Sequence, residues 1–212
     1  MQNIIVKHKE IWNKDFFKLA MGGFVLFAIS LFANNLATIF AAKRVSEPVT
    51  DIILSNVKIY DVDGVIVAAT LFVFFFTILL LIADPKKIPF VFKTVALFIL
   101  IRSIFIMLTH IGPFTPHLFN EPNQFQSLLG LGYAGDLFFS GHTGMPFLLA
   151  LIFWHTKTIR WIFLVSSIIL GISVLLGHLH YSIDVAAAYF ITYTIFHLGQ
   201  EFFPRDWKLS VT

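Results

Sequence analysis

Six stretches, each close to the ~20 mostly apolar residues that a helix needs to cross a bilayer, follow one another along this chain with short polar connections between them. They are Leu19–Ala42, Gly64–Ala83, Thr94–Ile111, Phe138–Trp154, Arg160–Leu179 and Tyr181–Gln200. The last two are almost continuous through Gly177–His180, so the boundary between them is soft. Of 212 residues, 58% are hydrophobic and 13% charged, and the mean hydropathy is +0.84. A water-soluble globule of this length needs more charge to cover its surface. The pattern predicts an all-α, polytopic membrane protein with residues 1–212 forming a single six-helix domain. Residues 1–18 form a polar, basic arm, and the apolar run after it is too long for the core of a cleavable signal, so it reads as a retained anchor.

The basic residues predict an orientation. Lys7, Lys9, Lys14, Lys18, Lys86, Lys87, Lys93, Lys157, Arg160, Arg205 and Lys208 fall at one end of the six stretches. Only Lys43, Arg44 and Lys58 fall at the other, and Arg102 lies inside the third stretch. Positive charge is retained on the cytoplasmic side, so both termini are expected there, and loops one, three and five face outward. A formal net charge of +3, scattered along the chain, offers no nucleic-acid surface. The absence of cysteine removes disulfides, thiol nucleophiles and cysteine metal sites.

The outward loops hold the unusual polar clusters: Ser46–Asp51, Asp136–Thr143 and His178–Asp184. In the last, the i, i+4 spacing of His180 and Asp184 puts both on one helix face. A carboxylate at one imidazole nitrogen fixes the tautomer and leaves the other nitrogen to attack or to take a proton. The same pair also suits a plainer role, a capping acid beside a satisfied histidine. Upstream, Ser140 is placed as the N-cap of the fourth helix. Gly141, His142 and Thr143 then fall in its first turn, where free amides and the helix dipole favour a phosphate. His142 faces the same layer as His180. Arg102, deep in the third stretch, costs about 3 kcal/mol to insert and so needs an anion, either Asp136 or a bound phosphate. No HExxH, Walker loop, GxGxxG or GxSxG is present, and neither a metal nor a cofactor is expected.

Together these residues resemble a known family. Ala134–Thr143 (AGDLFFSGHT) is similar to the C-G-D-x3-S-G-H-T motif of the sphingomyelin synthase family, and His180–Tyr189 (HYSIDVAAAY) to its H-Y-[ST]-x-D-V-x3-Y motif. Arg102–Thr109 (RSIFIMLT) resembles the arginine helix before them, and Pro48–Asp51 (PVTD) is a looser echo of P-L-P-D. The likeness covers 94–197 well and the first helices poorly. It places the chain in the wider lipid phosphate phosphatase superfamily and implies a six-helix fold with two-step transfer. By that resemblance His180 is the nucleophile that becomes a phosphohistidine, Asp184 orients it, and His142 is the acid and then the base. Asp136, Ser140, Gly141, Thr143, Arg102 and Tyr181 are expected around the substrate.

The sequence also departs from these patterns. Ala134 stands at the motif cysteine. The arginines of the phosphatase branch, in an R-P dipeptide and an S-R pair before the H-x3-D histidine, are missing: no R-P occurs, and Ser173 and Val174 stand at the S-R positions. A phosphomonoester dianion asks for several guanidiniums, a phosphodiester for fewer. The expectation is a transferase that moves a phospho-alcohol head group from a glycerophospholipid to ceramide or a diacylglycerol-like alcohol. The alternatives are a lipid phosphate phosphatase and a non-catalytic lipid-binding protein. Membrane lipids are the expected partners; a homo-oligomer is left open.

Overall fold

The computed structural model describes residues 11–115 and 136–212. Ala134 and Gly135, at the start of the first motif, lie outside the described residues, as do Lys7 and Lys9. All regular structure among the described residues is helical: α1 Lys14–Ala42, α2 Asp63–Ala83, α3 Ile88–Leu108, α4 Gly141–Ile152, α5 Lys157–Leu176, α6 Ser182–Phe202 and α7 Pro204–Val211, with 3-10 turns at Leu54–Asn56 and Pro85–Lys87.

Helix α1 begins where Asn13 caps it, accepting the Asp15 and Phe16 amides at 3.1 and 2.9 Å. The face it buries is made of small and polar residues, among them Ala20, Gly23, Ser30, Asn34, Ala37, Thr38 and Ala41, and they let it lie close along α3. Its other face is bulky and exposed: Phe17, Phe24, Ile29, Phe32 and Leu36. Helix α2 is similar, with Leu71, Phe72, Phe74, Phe75 and Leu79 outward. So much exposed apolar surface is untenable in water and natural against lipid acyl chains. Four helical segments are long and apolar enough to cross a membrane: Lys14–Ala42, Asp63–Ala83, Pro85–Leu108 and Lys157–Leu176. These fit an integral membrane protein.

The other two expected crossings differ. Helix α4 has 12 residues, about 18 Å at 1.5 Å per residue, because Phe153 and Trp154 turn out of the helix at one end and the motif loop occupies the other. Helix α6 has 21 residues, but Asp184, Thr192, Thr194, His197 and Glu201 make it less apolar. Helix α3 starts at Ile88 rather than near Thr94, with Pro89 in its first turn. Arg102 therefore lies in the last third of that helix and not at its middle.

Helix α4 is the centre of the molecule, packed by α3, α5 and α6. Leu148, Leu149, Ala150 and Ile152 are buried there with Phe90, Phe98, Phe139, Phe163 and Ile195. Gly144 permits the approach: a Cβ there would come within 2.8 Å of both the Phe98 ring and Thr192 Oγ1. At one end of the molecule the loops 43–62, 109–115 and 177–181 are bonded to each other. Ser46 N–H reaches His110 O at 2.7 Å, and Tyr60 N–H reaches Leu176 O at 2.9 Å. At the opposite end α7 folds back on the start of α3. Lys93 pairs with Asp206 at 2.6 Å, Lys87 Nζ donates to Ser210 O, and Trp207 packs on Phe90 with ring centroids 5.0 Å apart.

Candidate active site

The first turns of α4 and α6 meet at the loop-bonded end. Their starts are tied directly, since Ser140 N–H donates to the Asp184 backbone carbonyl at 3.1 Å. Ser140 is the N-cap of α4: its Oγ accepts the Thr143 amide at 3.3 Å and the Thr143 hydroxyl at 3.2 Å. Both side chains are fully buried. The Thr143 hydroxyl proton and the Ser140 lone pairs are used on the turn, and the backbone amides this cap leaves to an anion are those of Gly141 and His142, the first two of the helix. Pro146 adds to the open character of the turn, having no N–H to return to the His142 carbonyl.

His142 projects from this turn toward His180, with ring centroids 6.2 Å apart and planes at 65°. His180 Nδ1 lies 3.4 Å from Asp184 Oδ2, long for a hydrogen bond between fixed groups but directed at one ring nitrogen. The same Oδ2 accepts the Tyr181 amide at 2.9 Å. Asp184 is thus at once a cap for α6 and a neighbour of His180, and the two readings left open by the spacing are not exclusive. Asp184 is fully buried and His180 nearly so.

Arg102 closes the third side. It meets Asp136 Oδ1 at 2.8 Å, the Asp136 carbonyl at 3.2 Å and the Phe139 carbonyl at 2.7 Å. Asp136 is one of the two anions its depth called for, and in holding it Arg102 fixes the loop that leads into Ser140. The guanidinium passes along Gly141, whose added Cβ would stand 3.4 Å from Arg102 Nε. Burial pushes the Asp136 carboxyl up from the ordinary carboxylate range, and the positive charge of Arg102 opposes that push.

Tyr181, expected around the substrate, ties the loops of this end together. Its side chain is buried, and its hydroxyl donates to the Gly112 carbonyl at 2.7 Å and accepts the Val49 amide at 3.1 Å. The one phenolic proton is thereby used, and the ring packs against Phe114, so Tyr181 braces loops. Asp51, given no role in the sequence, lies next to it and accepts the Ser182 amide at 2.7 Å. Its signals in the sequence were its place in the outward Ser46–Asp51 cluster and the loose likeness of Pro48–Asp51 to P-L-P-D. Among the described residues no group of three or more His, Asp or Glu side chains is placed to hold a metal ion.

The arrangement is two facing imidazoles, a carboxylate behind one of them, and an arginine and a helix N-terminus beside them. Such a set suits displacement at phosphorus: a nucleophile, a proton carrier and a positive rim. The profile of the family described as PAP2 superfamily C-terminal matches residues 134–201. This supports the phosphatidic acid phosphatase type 2 superfamily. The matched segment holds His142, His180 and Asp184, and members of that superfamily generally act on phosphate esters, which points to phosphatase- or phosphotransferase-type lipid chemistry. It contains neither Arg102 nor Asp51. No curated protein and no solved structure matches the chain.

Proposed function

We propose that this protein is a sphingomyelin synthase-like phosphotransferase, moving a phospho-alcohol head group from a glycerophospholipid to ceramide or a similar lipid alcohol through a phosphohistidine. The observation that carries this reading is the pair of imidazoles 6.2 Å apart with Asp184 behind His180. His180 attacks the donor phosphorus through the nitrogen turned away from Asp184. The N–P bond forms as the P–O bond to diacylglycerol breaks, and the departing oxygen takes a proton from His142. The acceptor hydroxyl then gives its proton to His142 and attacks phosphorus, and the N–P bond breaks. Gly141 and His142 amides and the unused N–H groups of Arg102 face the non-bridging oxygens, with Ser140, Thr143 and Asp136 holding the turn and the arginine in place.

The charge available supports transfer over hydrolysis of a phosphomonoester. Among the described residues Arg102 is the one guanidinium at the cluster, and it is already shared with Asp136. Arg44, at the same end, lies over the Phe40 ring at 3.8 Å. One partly engaged arginine and a helix N-terminus suit a singly charged phosphodiester. In the same reading the six apolar segments cross the membrane six times with both termini cytoplasmic, and the site faces the non-cytoplasmic side.

The test is a donor-to-acceptor assay with purified protein in phospholipid vesicles containing labelled ceramide. A labelled phosphosphingolipid is expected with the natural chain and none with His180→Ala, and His142→Ala should fall by about 10²–10⁴. Phosphate released from phosphatidic acid, with no transfer to ceramide, would establish the hydrolase instead. Undiminished turnover in His180→Ala would refute the phosphohistidine itself.

A further inference from the structure

The first turn of α6, which carries Asp184 and follows His180, is held from outside the motif segment. Asp51 Oδ1 accepts the Ile53 and Leu54 amides at 2.8 and 3.0 Å, and its Oδ2 accepts the Ser182 amide at 2.7 Å. Two residues earlier, the Val49 amide ends on the Tyr181 hydroxyl. Consecutive residues between His180 and Asp184 are therefore both bonded to one loop, from a sequence distance of more than a hundred residues. Asp51 is buried, and the bonds its carboxylate makes are to the Ile53, Leu54 and Ser182 amides and to the Ser182 side chain, neutral donors rather than a cation. Burial raises its carboxyl, but the Leu54, Ser182 and Ile53 bonds outweigh it and hold the group below its ordinary value. It is an ionised bracket whose lone pairs are used, at the positive end of a helix.

We propose that Asp51 is a positioning residue for the two-histidine site, clamping the first turn of α6 so that His180 is held between Asp184 and the phosphorus it attacks. The proposal deepens the phosphohistidine reading above and rests on it. Asparagine at position 51 keeps the size but has one acceptor oxygen, so its NH2 group opposes either the Ser182 amide or the Ile53 and Leu54 amides. The α6 turn then shifts with respect to the loop, and a misplacement on the scale of 1 Å at a reacting group costs up to about a hundredfold in rate.

A purely structural Asp51 would depress turnover however the nucleophile is supplied; a positioning Asp51 matters only while the imidazole is tethered. The experiment compares Asp51→Asn in the natural chain and in His180→Gly supplied with free imidazole, all in vesicles with labelled ceramide. In the rescued background imidazole attacks the donor phosphorus and the diacylglycerol oxygen leaves with the His142 proton. The acceptor hydroxyl then gives its proton to His142 and attacks phosphorus, the N–P bond to imidazole breaks, and the whole phospho-alcohol group passes to the acceptor. Asp51→Asn is expected to lower kcat by about ten- to a hundredfold in the tethered enzyme, with KM for the donor within about twofold, and to change the imidazole-supported rate by less than about twofold. Equal losses in both backgrounds, or no loss of kcat in the tethered enzyme, overturn the proposal. If the natural chain transfers no head group, it is the phosphotransferase reading that fails. In that case, or if imidazole restores nothing, the His180 titration decides, followed by NMR in 13C-histidine-labelled full-length chain in nanodiscs and assigned with His180→Gln. A midpoint moved by Asp51→Asn sustains the clamp, and an unmoved one overturns it.

Discussion

Arg102 shows what a single residue can announce and what it leaves open. A guanidinium inside an apolar stretch announces that an anion waits for it, and the anion is Asp136 at 2.8 Å. The order of residues left that carboxylate as one of two candidates, because the pairing is made by the loop that Arg102 itself folds through the Phe139 and Asp136 carbonyls. Removing one member of a buried pair leaves the other charged and unpaired, at a cost of about 3–5 kcal/mol. Arg102→Gln should therefore unfold at markedly lower temperature in detergent micelles. Adding Asp136→Asn should restore part of the loss, giving a coupling of about 1–3 kcal/mol in the double-mutant cycle; strictly additive losses would mean that the pair does not hold the loop. His142, His180 and Asp184 were legible because each motif is short and its chemistry local. Asp51 and the bracing role of Tyr181 were not, since their decisive bonds run to residues more than a hundred positions away.

Among the elements, hydropathy located the helices and misjudged their ends. Lys93 looked like a loop residue because a charge interrupts the apolar run. In the folded chain it sits one turn inside α3 and is neutralised by Asp206 of α7, a helix too polar and short to register as a segment. The brevity of α4 was equally hidden, for Phe153 and Trp154 continue the apolar composition after the backbone has left the helix. Gly144 is the residue that lets α4 occupy the centre. Gly144→Val should overpack it against Phe98 and Thr192, both buried, costing at least about 1–3 kcal/mol and displacing the α4 turn that bears His142. Calorimetry or a thermal shift in detergent, beside the transfer assay, checks this. A variant with natural stability and natural turnover would mean that the α3–α4–α6 contact yields more easily than its distances imply.

On the scale of the molecule the two ends differ in kind. The site end carries Lys43, Arg44 and Lys58, whereas Lys14, Lys18, Lys86, Lys87, Lys93, Lys157, Arg160, Arg205 and Lys208 gather at the other. The chain has no cysteine, so one engineered thiol reports on one position. Lys58→Cys should react with an impermeant maleimide on intact cells or sealed vesicles of native orientation, and Lys208→Cys only after permeabilisation. The reverse pattern would put the site on the cytoplasmic side. On the six-crossing reading, the short central helix has a further consequence. A helix of about 18 Å in a hydrocarbon layer of about 30 Å leaves its N-terminus, and the imidazoles beside it, below the level of the head groups. A lipid alcohol arrives there by diffusing in two dimensions at the high local concentration of the leaflet, already at the right depth. Water must instead come down from the aqueous phase, so on the phosphohistidine reading competition for the intermediate is biased by geography before any contact in the pocket discriminates.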